Sequence, residues 1–432
     1  MTALGSVRAS ARTTFASLQE PNYRRFLCGQ SVSLVGTWMQ RVAQSWLVLE
    51  VSGSGTAVGL VVALQALPVL VGGPYGGVVA DRVDKRRLIL FLQVGMGALA
   101  LTLGVLVVTG AVALWQVFAL ALLLGLATCF ENPARQSFIL EMVGPEHLRN
   151  AVSLTAVLVN VARMVGPAVA GVLIAAGGTG LCFLVNAATF AAVVLSLATM
   201  DTARLHPAPP TARAPGQLRE GLQYVRRSPG LAVPLAMMAL VGCLAFEFQI
   251  VLPVLAQQTF AAGGQGYGFM TAAMGAGAII GGLAVAARSR NGPRALVVSA
   301  AAFGLSLAAV AAAPSLELAL VGLAVTGAAS VWFQSTGSAT LQLNAAPSMR
   351  GRVMALWTVA FLGSTPIGGP IAGFVADRLG GRAGLLLGAV ACLVAAGLGG
   401  LALRRTGRAG GEPGSGDPGA GPGFEPADTA RS

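Results

Sequence analysis

The sequence has 432 residues, of which 55% are hydrophobic and 10% charged, with a net charge of +12 and a mean hydropathy of +0.74. A soluble domain needs about a quarter of its residues charged to wet its surface, so a water-soluble globule is excluded. The positive balance does not indicate nucleic-acid binding, because the basic residues fall in short runs between apolar segments rather than on one face.

Residues 1–25 are polar and basic with no apolar h-region, and read as a cytoplasmic N-terminus rather than a cleavable leader. Six apolar runs follow at 26–50, 56–80, 88–110, 113–135, 150–175 and 180–200, giving a first bundle over 26–200. Residues 201–230 form a linker, Pro-rich from His206 to Pro215 and then amphipathic from Gln217 to Arg227, with Leu218, Leu222 and Val225 on one side. Six more runs at 231–256, 267–288, 295–313, 316–340, 350–376 and 382–403 give a second bundle over 231–404. The tail 405–432, rich in Gly and Pro, is expected to be disordered. Runs of about 20 apolar residues match the roughly 30 Å of hydrocarbon at 1.5 Å per residue, and are too long and continuous for barrel strands. The expected fold is therefore an all-α membrane protein of twelve transmembrane helices in two six-helix bundles.

Alternate loops hold 24 of the 28 basic residues, Arg135 and Arg149 among them. The opposite loops hold only Arg378 and Arg382, and Arg41 and Arg163 lie inside spans. The positive-inside rule places both termini in the cytoplasm of a multi-pass inner-membrane protein. The halves repeat in parallel: Pro145 and Leu154 match Pro347 and Leu356, Gly166 and Gly171 match Gly368 and Gly373, and Gly76-Gly77 matches Gly281-Gly282. Two such repeats around a central cavity is a transporter arrangement.

After the second span stands Gly77-Val-Val-Ala-Asp81-Arg82-Val-Asp84-Lys85-Arg86-Arg87, preceded by Gly73. It resembles the loop signature of the major facilitator superfamily, with Asp84 where that family usually has glycine. The resemblance implies that Asp81 faces the N-terminus of the eleventh span and that Arg82, Arg86 and Arg87 bridge the halves as a cytoplasmic gate. Gly166-Pro167-Ala-Val-Ala170-Gly171 in the fifth span resembles the antiporter signature of drug–proton exchangers, with Ala170 replacing one glycine. Asn132-Pro133-Ala134-Arg135-Gln136, Asn160-Val-Ala-Arg163, Phe183-Leu-Val-Asn186 and Arg350-Gly-Arg352-Val-Met-Ala are similar to the branch holding the enterobactin exporter and the transmembrane secretion effectors. The similarity runs over roughly 15–405 and implies the fold and an export role without a particular cargo.

Four ionisable residues sit well within spans: Arg41, Glu131, Arg163 and Glu247. Each costs about 2.5–3.5 kcal/mol at a helix centre on insertion scales, so they are expected to face the cavity or one another. Glu247, with Glu131 second, is the candidate proton-coupling carboxylate, and Arg41 and Arg163 are the candidate charge partners. A static Arg–Glu pair holding helices together is the alternative. Gln40, Gln44, Asn132, Phe246, Gln249, Trp332 and Gln334 are the cavity candidates, an amphipathic lining for a partly apolar small molecule. Cys28, Cys129, Cys182, Cys243 and Cys392 lie in apolar segments without metal-site spacing.

No phosphate-binding loop exists, Lys85 is the single lysine, and no metal or catalytic cluster stands out. The expected partners are thus a small-molecule substrate, protons and lipid, with no cofactor, no enzymatic role, no nucleic acid and a monomeric state. The expected function is proton-coupled export of a small amphipathic molecule such as a drug, siderophore or secondary metabolite. A proton-coupled importer and a non-transporting receptor are the competing readings.

Overall fold

The computed structural model describes residues 16–206, 217–288, 292–347 and 349–409. The Pro-rich stretch of the linker and the tail from residue 410 lie outside these. In the first half run α1 (Pro21–Ser52), α2 (Gly55–Arg82), α3 (Lys85–Val108) and α4 (Leu114–Ala198). The linker carries α5 (Gln217–Arg226). The second half holds α6 (Pro229–Leu244), α7 (Phe248–Val254), α8 (Gly263–Arg288), α9 (Pro293–Ala312), α10 (Leu316–Asn344), α11 (Arg350–Leu362), α12 (Thr365–Leu379) and α13 (Gly381–Ala409).

α4 is broken by non-helical backbone at Gly144 and at Gly177-Gly178, and comprises three rods. Gly144 (φ 70°) and Gly178 (φ 75°) adopt left-handed backbone that only glycine takes without strain. Contacts with α1 show that the chain reverses at each. Along the first rod Phe138 meets Phe26 while Leu120 and Leu124 lie beside Gln40 and Gln44, an antiparallel pairing. In the second rod the Ala151 carbonyl accepts from Tyr23 and Gly166 abuts Trp38, a parallel pairing. Asn186 in the third rod donates to Gln40, and the following Asp201 accepts from Asn22, antiparallel again. Among the described residues nine helices are long and apolar enough to cross a membrane, with α4 counted once. α1 has the length, at 32 residues, but Gln30, Gln40, Arg41 and Gln44 dilute its hydropathy.

The glycines that repeat in sequence repeat in contact. Gly166 in the second rod of α4 lies against α1 at Val35 and Trp38, and its counterpart Gly368 lies against α6 at Cys243. Gly76 of α2 lies against Cys129 of α4, and Gly281 of α8 against Ala328 of α10. Gly171 lies against Gly268 of α8, and Gly373 of α12 against Gly55 of α2. These paired relations are what a parallel two-fold repeat requires, and small residues are what let such helices touch without a water-driven hydrophobic force. A Cβ on Gly327 of α10 would run into the Met274 carbonyl of α8. Gly327→Val is therefore expected to destabilise the second half by about 1–3 kcal/mol, seen as a lower thermal midpoint in detergent.

The linker helix α5 joins the second half. Glu220 binds Arg352 of α11 at 2.6 Å, and Val225 is buried with Leu231, Leu341, Val353 and Leu356. Of the predicted apolar face Val225 is inserted and Leu222 is exposed, while the side chain of Leu218 lies outside the described set. α13 continues to Ala409, past residue 405 where its end was expected, and the rest of the tail lies outside the described residues.

Candidate functional site

The two halves meet near the Arg-poor ends of their helices. Gly55 and Gly59 of α2 pack on Gly373 and Gly369 of α12. At a second contact between the halves, Pro167 and Gly171 of α4 pack on Gly268, and Ile174 and Trp46 on Gly264. The Trp46 ring stacks with Tyr267 of α8 at 6.4 Å. Asp377, near the end of α12, closes the first of these seams. Its carboxylate accepts from the Ser54 hydroxyl at 2.7 Å, the Thr56 hydroxyl at 2.5 Å, the Thr56 amide at 2.8 Å and the Gly55 amide. A carboxylate at a helix N-terminus meets unpaired amides and the positive end of the dipole.

Among the described residues no equivalent bridge forms at the basic ends. Arg86 donates to the Leu197 and Ala198 carbonyls of its own half, Lys85 pairs with Glu141 at 2.6 Å, Arg87 pairs with Asp84, and Arg82 is exposed. The expectation that Arg82, Arg86 and Arg87 bridge the halves is thus corrected: the basic loop is held to the first half. The side chain of Asp81 lies outside the described set. Gly73 has open space beside it, while Gly77 is buried in its helix. Asp84, in the place where glycine was expected, caps α3 by accepting from the Arg87 amide at 3.0 Å.

Inside the membrane the charges are not paired as predicted. Arg41 lies 4.6 Å and Arg163 5.1 Å from the centroid of the Trp38 ring, so both guanidiniums share one indole. Trp38-x-x-Arg41 and Arg163-x-x-Gly166 have the i,i+3 spacing that puts each pair on one helix face. Gly166 brings α4 close enough to touch the Trp38 Cβ. Arg163 precedes Pro167 by four residues, so its carbonyl lacks a helical donor from that proline.

Neither arginine reaches Glu247 or Glu131. Glu131 pairs with Arg135 at 2.9 Å and accepts from Gln93 at 3.3 Å. Arg135, counted above as a loop residue, is half-buried within the bundle and also binds Asn132. Glu247 stands at the break between α6 and α7, hydrogen-bonded to Thr365 of α12, with its Oε1 buried and unpartnered. It opens on a small pocket between Leu244, Val251, Leu307 and Leu385, within the second half rather than between the halves. The sequence singled out Glu247 and the arginines as charges within apolar runs, but position along a helix does not fix the direction a side chain takes.

The cavity candidates divide. Gln40 is bonded to Asn186 at 2.5 Å and Gln44 to Gln65 at 2.8 Å; both are buried inside the first bundle and do not line a passage between halves. Phe246 packs against Phe303 and Phe361 at 5.2 and 4.7 Å, part of the aromatic core of the second half. Gln249, Trp332, Gln334 and Asn132 are half-buried. Pro253 cannot donate to the Gln249 carbonyl, which instead receives the Tyr267 hydroxyl at 3.5 Å. The residues missed are Trp38, Arg135 and Asp377. Asp377 had a signal: Gly373-Phe-Val-Ala-Asp377-Arg378 echoes Gly77-Val-Val-Ala-Asp81-Arg82 at the opposite membrane face.

Two pseudo-repeated helical bundles in contact near their Arg-poor ends have the architecture of the major facilitator fold. Among solved structures the chain is similar to the nucleoside transporter NupG (TM-score 0.71, 15% identity, covering 89% of this chain and 99% of that one). It is similar also to a bacterial homologue of the human lysosomal transporter Spinster in an inward-facing, unoccupied conformation (TM-score 0.72, 14% identity, covering 89% and 98%). Residues 12–409 match the family described as transmembrane secretion effector, and the chain belongs to that family. Its relatives include the enterobactin exporter EntS of Escherichia coli, 28% identical over 82% of this chain and 85% of that protein. The staphyloferrin A transporter of Staphylococcus aureus is 24% identical over 82% and 89%. The MFS-type transporter YfiS of Bacillus subtilis is 29% identical over 47% of this chain, and the match spans only 49% of that protein.

Proposed function

We propose that this transporter exports small amphipathic molecules across the inner membrane in exchange for protons, by alternating access, with its basic loops and both termini in the cytoplasm. The observation that carries this reading is the one-sided seam: glycine contacts and the Asp377 cap close the Arg-poor end, while Arg86 of the basic loop binds only its own half. In this orientation the closed seam lies away from the cytoplasm, the side from which cargo for export is loaded. The likeness to siderophore carriers and the Gly166-Pro167 motif support export over import. Glu247, buried with one oxygen free, is the candidate coupling carboxylate.

Proteoliposomes with enterobactin and staphyloferrin A as probe cargoes test the reading. Wild-type protein is expected to accumulate at least one probe when a proton gradient is imposed. Glu247→Gln is expected to keep downhill exchange and lose the response to the gradient. Full gradient-driven accumulation by Glu247→Gln would remove Glu247 from the coupling role, and absence of flux in wild type with either probe would count against siderophore-like cargo.

A further inference from the structure

We infer that Arg41, Arg163 and Trp38 form a binding site for an anionic organic cargo, a planar carboxylate or similar oxyanion borne on an aromatic or apolar body. This deepens the exporter reading and rests on it for the word cargo, but the site itself stands on geometry alone.

Both guanidiniums lie at one indole, 4.6 and 5.1 Å from its centroid, and among the described residues neither has a carboxylate within ion-pair distance. The carboxylates of the neighbouring helices are committed elsewhere. Glu131 is held by Arg135, Asp377 by the N-terminus of α2, Glu50 by the Trp46 indole at 2.6 Å, and Glu247 is turned into the second half. Two like charges are thus held together near the middle of the membrane with only a ring quadrupole to offset them. An isolated buried cation is costly and two adjacent ones repel, so the arrangement is completed by an anion from outside the protein. Guanidinium forks match carboxylate and phosphate oxygens bidentately, and the indole supplies an apolar face for the rest of the molecule. Arg41 lies 11 residues before the end of α1 and Arg163 lies between the bends at Gly144 and Gly177, so both sit well away from either headgroup layer. The site also borders the seam: Gly275 of α8 lies against the Arg163 carbonyl and Met164. An anion bound there neutralises charge at the surface where the halves part. An inside-negative potential then favours its outward passage.

The test uses full-length protein in phosphatidylcholine nanodiscs, titrated calorimetrically with 1-naphthoate and with its neutral isostere 1-naphthamide. Wild type is expected to bind naphthoate about tenfold or more tightly than naphthamide, and Arg41→Gln and Arg163→Gln are each expected to lose about that factor for naphthoate only. Equal binding of the two probes by wild type, or naphthoate binding unchanged in both Gln variants, overturns the proposal. Should either Gln variant fail to fold, Arg41→Lys and Arg163→Lys, which keep the charge and lose the fork, are expected to bind naphthoate more weakly than wild type; unchanged affinity overturns the bidentate site. Repeating the titration with phosphatidylglycerol in the disc distinguishes the source of the anion. Unchanged naphthoate affinity supports a soluble cargo, and competition by phosphatidylglycerol overturns it in favour of a lipid headgroup. Because no gradient is applied, naphthoate selectivity with no flux in proteoliposomes sinks the exporter reading and leaves the anion site standing.

Discussion

Gly373→Leu is expected to abolish transport while leaving each bundle folded. Gly373 packs directly on the backbone of Gly55, and Gly369 on that of Gly59, so a branched side chain cannot be accommodated by a rotamer change. Overpacking inside a rigid core costs about 1–3 kcal/mol. Here the strain has an outlet, because the two surfaces belong to different halves and can separate. The expected result is a protein held open at its Arg-poor end, with a thermal midpoint close to wild type. Distances between spin labels on α2 and α12 check it: they lengthen in the variant and stop responding to cargo. A variant that transports normally would show that this seam does not open and close.

Asp377→Ala is expected to produce a graded form of the same shift. Its carboxylate accepts hydrogen bonds from Ser54, Gly55 and Thr56 at the start of α2, joining the halves through a helix N-terminus. Hydrogen bonds to a charged group contribute about 1.5–3 kcal/mol each when partly buried, less where water can replace the partner. Loss of the set is therefore expected to weaken the seam by about 2–4 kcal/mol, a shift of roughly 30- to 1,000-fold in the ratio of closed to open forms. Asp377→Asn, which keeps one acceptor oxygen and turns the other into a donating NH2, falls between. Ser54 also caps α2 by accepting from the Ala57 amide, so the helix itself survives the change. Single-molecule transfer between labels on the two halves reads the populations directly.

The fold was legible because lipid imposes simple rules. Length of apolar run and the repeated glycines are one-dimensional signals, and each has a direct counterpart in the helices and their contacts. The Gly144 and Gly178 reversals fall at breaks that the apolar pattern also placed. The site was less legible because burial in a membrane helix says nothing about azimuth. Gln40 and Gln44 read as cavity residues, yet Asn186 and Gln65 satisfy them inside the first bundle. Phe246 read as cargo-facing and is core. Arg135 read as a topology signal because it follows an apolar run, but its length lets it return to Glu131 one turn earlier. The expected pairing of Arg41 and Arg163 with the buried carboxylates was an inference from charge; Trp38, which was not singled out, is where the arginines converge.

Thiol accessibility tests the central claim most directly. In a background with the five native cysteines replaced, Gly73→Cys lies in open space on α2 toward the basic loops, and Val254→Cys lies fully buried in the seam beside Gly55. With a membrane-impermeant maleimide applied from the side of the basic loops and no cargo present, Gly73→Cys is predicted to label rapidly and Val254→Cys to remain protected. Equal labelling of the two from that side, or labelling of Gly73→Cys only from the opposite face, would contradict a passage closed at one end by the contact of two matching bundles.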